Sequence, residues 1–194
     1  MDPDCVTHAW LADCPIAGQT PLKPKAPVKL GGGTHGTMQA ADINITFARP
    51  KGNATFGVNL LGVATAYIEF VEGSPSVRVG IYDGAPRYPS PPTPPLNGSA
   101  PLRVDMLRLL PTDDALNLRA FTDLGVLEVY WMDGRVVITS PFKEPKPGRG
   151  VELFASADGL QLEEATAWAM DSIWVSPEEV LATPRIDQQG GNKR

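Results

Sequence analysis

Metal ligation, nucleophilic attack and phosphate binding each need particular side chains at particular spacings, and this chain holds fragments of all three. His8 and His35 are metal-ligating types, but neither stands at a ligand spacing from Cys5 or Cys14, so they read as ordinary surface or satisfied histidines. Ser172 and Ser176 have no base near them in sequence, and no Gly-x-Ser-x-Gly turn occurs to activate a serine. Gly31-Gly32-Gly33 shares only its glycine content with a phosphate loop, since the Lys-Ser/Thr pair is missing. Acid chemistry and ring stacking remain. Asp113-Asp114 and Glu163-Glu164 read as solvated charge pairs, Asp123 as a turn-capping carboxylate and Glu128 as a charge on an outer sheet face. Trp10, Trp131, Trp168 and Trp174 could offer sugar-stacking faces, but Trp131 alternates with apolar residues and Trp168 sits in a late strand, which assigns both to the core. No cofactor and no metal site is expected.

Strands must position these side chains. Runs rich in β-branched and aromatic residues recur at 42–47, 54–61, 65–71, 76–82, 102–110, 116–122, 126–132, 135–140, 150–156 and 160–168, with turn signals between them. That pattern predicts an all-β fold, a two-sheet antiparallel β-sandwich with one short C-terminal helix. Asp133-Gly134 between two such runs predicts a two-residue hairpin in which Trp131 faces Val136, Val129 faces Ile138 and Leu127 faces Ser140. Alternation then puts Leu127, Val129, Trp131, Val136 and Ile138 on the core face. Glu128, Tyr130, Met132, Arg135, Val137 and Thr139 fall on the other, and the mixture at Tyr130, Met132, Arg135 and Val137 suits an interface patch. The helix is expected at Ser176-Pro177-Glu178-Glu179, where a Ser cap, Pro at the first helical position and Glu three residues past the cap form a capping box.

The 194 residues suffice for one domain with a sizeable core, and a net charge of −5 argues against nucleic acid and anionic membranes as partners. Residues 1–30 carry Pro15, Pro21, Pro24 and Pro27 and read as an N-terminal tail or linker; 31–184 form the sandwich module, with 85–101 as a proline-rich loop; 185–194 read as a disordered tail. The first residues lack a basic-then-apolar signal peptide, which leaves either an intracellular protein or a fragment with its leader upstream. Asn44, Asn53 and Asn97 head three Asn-x-Ser/Thr sequons out of six asparagines, a bias towards secretion and glycosylation. Cys5 and Cys14 could close a disulfide loop or remain free thiols.

The segment Leu118-Arg119-Ala120-Phe121-Thr122-Asp123, continued by Glu128-Val129-Tyr130 and Gly134-Arg135, resembles the Leu-Arg-x-Phe-x-Asp…Glu-Val-Phe…Gly-Arg signature of the C-terminal β-sandwich in glycoside hydrolase family 32. These are the invertases, inulinases and related β-fructofuranosidase-type enzymes. Ala167-Trp168-Ala169-Met170-Asp171-Ser172-Ile173-Trp174 is similar to the closing strand of that sandwich, and Asp42-Ile43-Asn44-Ile45-Thr46-Phe47 to an early one. Gly125 stands where the family often has Ser. The resemblance implies a retaining glycosidase whose two carboxylates lie in a five-bladed propeller preceding the sandwich, and none of that propeller's motifs occurs in this sequence. It therefore implies a module inactive alone, whose partner is a family 32 propeller or a second copy of itself, and Asp123 and Glu128 become candidate contacts to sugar or propeller. A free-standing glycan-binding, lectin-like sandwich is the alternative, with carbohydrate as its partner.

Overall fold

The computed structural model describes residues 16–23, 28–30, 40–84, 86, 103–145, 150–170 and 176–182. Twelve strands run β1 (Ile16–Pro21), β2 (Val28–Leu30), β3 (Ala40–Ala48), β4 (Ala54–Leu60), β5 (Ala64–Phe70), β6 (Ser76–Asp83), β7 (Val104–Arg108), β8 (Ala115–Asp123), β9 (Gly125–Trp131), β10 (Val136–Phe142), β11 (Val151–Ala155) and β12 (Gln161–Met170), before a short helix α1 (Pro177–Ala182). They form two six-stranded antiparallel sheets, β1-β12-β3-β8-β9-β10 and β2-β11-β4-β5-β6-β7. All-β sandwich architecture and the ten expected strands are thus present.

The core lies between the sheets. Strand β3 alternates strictly, with Ile43, Ile45 and Phe47 buried and Asp42, Asn44 and Thr46 half-buried on the other face. Phe47 meets Phe56 of the facing sheet edge-on, ring centroids 4.9 Å apart. The second sheet is buried on both faces at its centre. Every residue of β4 is buried, and Tyr67, Tyr82 and Phe154 make a separate apolar cluster on its outer side. Tyr67 lies between Gly57 of β4 and Gly80 of β6 in the cross-strand register. Gly80 makes room for its ring, since a Cβ there would sit 3.0 Å from Tyr67 Cε1, whereas Gly57 lets the two backbones approach, since a Cβ there would sit only 2.1 Å from the Ala66 carbonyl oxygen.

Residues 16–30, expected as tail, contribute two strands instead. β1 pairs with β12 and β2 with β11, each at a sheet edge. Proline is tolerated in a strand bonded on one side only, so a proline-rich stretch can be an edge strand and still lack periodicity. The capping box forms as expected: Ser176 Oγ accepts from the Glu179 amide at 3.1 Å, and Glu179 Oε2 accepts from the Ser176 amide at 2.8 Å. Cys5, Cys14, His8, His35, Trp10, Trp174, Ser172, Asn97, Gly31-Gly32-Gly33, the 185–194 tail and nearly all of the proline-rich loop lie outside the described residues.

Candidate functional site

The β9–β10 hairpin has the expected register, Trp131 opposite Val136, Val129 opposite Ile138 and Leu127 opposite Ser140. Its turn differs. Met132, Asp133 and Gly134 all have left-handed backbone, with φ of 50°, 56° and 87°. The extra left-handed residue breaks alternation at Met132, which turns into the core at 8% exposure with its sulfur against the Asn117 amide. Met132 therefore leaves the interface patch. Arg135 leaves it too, because its guanidinium reaches Asp113 Oδ2 at 2.7 Å and the Arg108 carbonyl at 3.3 Å, round the end of the sandwich. Asp113 is correspondingly no free surface charge. Burial works against its ionisation, but the Leu110 amide, the Arg135 bond and charge and the Arg49 charge outweigh it and hold the carboxyl below its ordinary range.

Tyr130 and Val137 stay on the outer face of the first sheet, and the register extends the surface across β8 and β3 to β12. One cross-strand row runs Trp168, Asp42, Phe121, Glu128, Thr139; the next runs Thr166, Asn44, Arg119, Tyr130, Val137. The charged groups in these rows are bonded within the face, Asp42 by a cation and Glu128 by hydroxyls. Arg119 makes a two-pronged pair with Asp42, 3.0 and 2.7 Å, and its guanidinium lies 4.6 Å from the Phe121 ring centroid. Phe121 meets Tyr130 edge-on at 5.9 Å, and Glu128 accepts from Tyr130 Oη at 3.2 Å and Thr139 Oγ1 at 3.4 Å. Trp168 is on this face, 37% exposed, and not in the core. A register irregularity between Leu162 and Glu164 shifts the phase of β12, so that Ala165 points inward and Trp168 outward. Trp131 is fully buried, as expected.

Asp123 Oδ1 accepts from the Leu124 amide at 2.6 Å, the turn-capping geometry, beside Gly125 at φ 90°. Asp42 and Glu128, the two carboxylates in one row, are separated by β8, which at strand spacing is about 9–10 Å, far beyond the ~5 Å of a retaining pair. Among the described residues no group of three His, Cys, Asp or Glu side chains could hold a metal ion.

The model for the glycosyl hydrolases family 32 C-terminal region matches residues 17–169, from β1 to the end of β12. The chain belongs to this family. A relative of this family 32 C-terminal domain is the levanase of Bacillus subtilis (strain 168), 30% identical over 66 residues, which make up 34% of the chain and 10% of the levanase. Among solved structures, fructan 1-exohydrolase IIa from Cichorium intybus with 1-kestose superposes with a TM-score of 0.58 at 15% identity over 84% of the chain and 36% of the exohydrolase. Fructofuranosidase from Schwanniomyces occidentalis with fructose gives 0.52 at 16% identity, over 80% and 32%. At such identity these two establish the fold, and the family 32 domain spans about a third of their length.

Proposed function

We propose that the chain is the non-catalytic C-terminal module of a family 32 fructoside hydrolase and supports the catalytic propeller through the outer face of its first sheet. The observation that favours this face is its makeup. Val126, Val137, Trp168 and Met170 are exposed apolar side chains around Phe121 and Tyr130, while Asp42 is paired with Arg119 and Glu128 is hydrogen-bonded by Tyr130 and Thr139. Apolar surface whose polar groups already bond one another loses less on leaving water, which favours an interface centre. On the outer side of the second sheet Tyr67, Tyr82 and Phe154 are buried, and among the described residues Met106 is the large apolar side chain exposed there. A free-standing lectin is less well supported, because the fold matches that carry weight are to parts of longer fructoside-processing enzymes.

Hydrolysis by this chain alone is not expected, since Asp42 is held by Arg119, Glu128 by two hydroxyls, and the two are too far apart. Mixing the chain with a separately produced family 32 propeller and following sedimentation tests the reading. One-to-one association is expected, weakened at least tenfold by Tyr130→Ser combined with Trp168→Ser at unchanged melting temperature, with no fructose released from sucrose, inulin or levan by the chain alone. Self-association through the same residues would replace the propeller with a second copy, and unaltered association would place the contact elsewhere.

A further inference from the structure

At the end of the sandwich where β3 and β11 finish, the β3–β4 and β11–β12 connections enclose a cleft of about 580 Å³, lined by 48–54 on one wall and 157–161 on the other. That size falls within the ~300–1,000 Å³ usual for small-molecule sites. Both walls are tied down from behind. The Arg49 amide donates to the Asp114 carbonyl at 3.0 Å, and the Arg49 guanidinium to the Asp113 carbonyl at 3.2 Å; Asn53 Oδ1 accepts from the Glu72 amide at 2.9 Å. Thr55 and Ser156 clamp the walls to each other, the Thr55 amide donating to Ser156 Oγ and the Ser156 amide to the Thr55 carbonyl, each at 2.8 Å. The Leu160 carbonyl accepts from the Leu22 amide at 2.9 Å. Such a cleft needs little ordering to receive a ligand.

The groups facing into it are of a different kind. The side chains of Lys51, Asp158 and Gln161 carry no hydrogen bond or ion pair among the described residues, and Asn53 keeps its amide N–H groups to spare. They supply donors and acceptors in mixture over an apolar floor that includes Ala54, Ala157 and Leu160. Asp158 disfavours an anion and Lys51 a cation, and the Arg49 guanidinium, the third charge in the lining, is engaged by the Asp113 carbonyl and the Phe70 ring. Hydroxyls, each both donor and acceptor, satisfy both, and C–H faces suit the floor. We propose that this cleft binds a small neutral saccharide, a site separate from the outer sheet face and independent of the docking reading. No aromatic ring among the described residues lines it, so the affinity is weak, in the millimolar range.

Protein made in bacteria, so that Asn53 carries no glycan, is titrated with sucrose, with 1-kestose, and with gluconate and glucosamine as anionic and cationic probes, following backbone amide shifts by NMR. Saturable millimolar shifts confined to the 48–54 and 157–161 amides are expected for the neutral sugars, with at least tenfold weaker binding of both charged probes. Gly52 has no left-handed φ, and a Cβ there meets nothing within 4 Å, so Gly52→Leu can project an apolar side chain across the mouth without adding a stacking ring. It should abolish the shifts with melting unchanged, and Gln161→Ala should weaken binding at least threefold. No saturable shift in the wild type, shifts that survive Gly52→Leu, or gluconate binding as well as sucrose would each overturn the proposal. Loss of propeller association leaves this result untouched, and the reverse also holds.

Discussion

Replacing Trp131 by alanine and by phenylalanine separates two quantities that the fold assigns to one side chain. Its indole is fully buried between Leu118 of β8 and Val136 of β10, and its Nε1–H has no hydrogen-bond partner among the described residues. Trp131→Ala removes the largest side chain of the core and leaves a void that two sheets cannot close, so a loss of about 3–5 kcal/mol is expected. In a domain of this size that is a fall in melting temperature of about 6–20 °C. Trp131→Phe keeps most of the packing and deletes an N–H buried without a partner, a relief of roughly 1–3 kcal/mol set against a smaller void. It should stay within about 1–2 kcal/mol of the wild type. Urea titration followed by far-ultraviolet circular dichroism reads both, because tryptophan fluorescence would report the substitution itself. A Trp131→Ala loss below about 1 kcal/mol would refute the burial argument, and a Phe loss equal to the Ala loss would show that the indole N–H is bonded after all.

Gly57→Ala should cost at least about 3 kcal/mol by denaturant midpoint, because the residue sits at φ 154° and a new Cβ would meet the Ala66 carbonyl, rigid backbone, at 2.1 Å; Gly52→Ala, with open space around it, should stay within about 0.5 kcal/mol. Burial pushes the Tyr67 hydroxyl up from 10.0 to about 12, with smaller influences from Arg78, Glu69 and Tyr82. A raised folded value gives stability that is fully present below pH 10 and drains away as pH rises towards 12, so Tyr67→Phe should flatten the alkaline fall in stability over that window. Equal alkaline loss in the two proteins would contradict it.

Much of the fold was legible because its signals are local. Alternation in Ile43-Asn44-Ile45-Thr46-Phe47, the hairpin register about Asp133-Gly134 and the Ser176–Glu179 box each need only neighbours, and each formed as read. The errors share a physical origin in information carried elsewhere. β1 and β2 are strands only because β12 and β11 exist to pair with them. Met132 and Trp168 changed faces through single backbone departures, a third left-handed residue in a turn and an irregularity in β12, which composition does not announce. Asp113 looked like one of two surface acids until the chain fold brought Arg135 to it. Of the candidate surface, Tyr130 and Val137 were legible from the hairpin, whereas Asp42, Phe121 and Trp168 joined it only through the register of β3, β8 and β12. The walls of the cleft come from connections more than a hundred residues apart, braced by Thr55 and Ser156, and no local motif marks them.

The edge pairings also set a timetable for synthesis. Ile16 pairs with Ala165 and Val28 with Leu153, so within this domain the first strands made are partnered by the last. At roughly 5–20 residues per second, the roughly 150 residues between them impose a wait on the order of ten seconds or more before either sheet can close. During that interval β4, β5 and β6, whose faces are both buried in the finished molecule, must stay out of intermolecular pairing with only part of their cover in place. Slowed translation of the segment that encodes β11 and β12, or loss of β1 and β2, is therefore expected to show first as aggregation of newly made chains, before any change in the stability of those that finish folding.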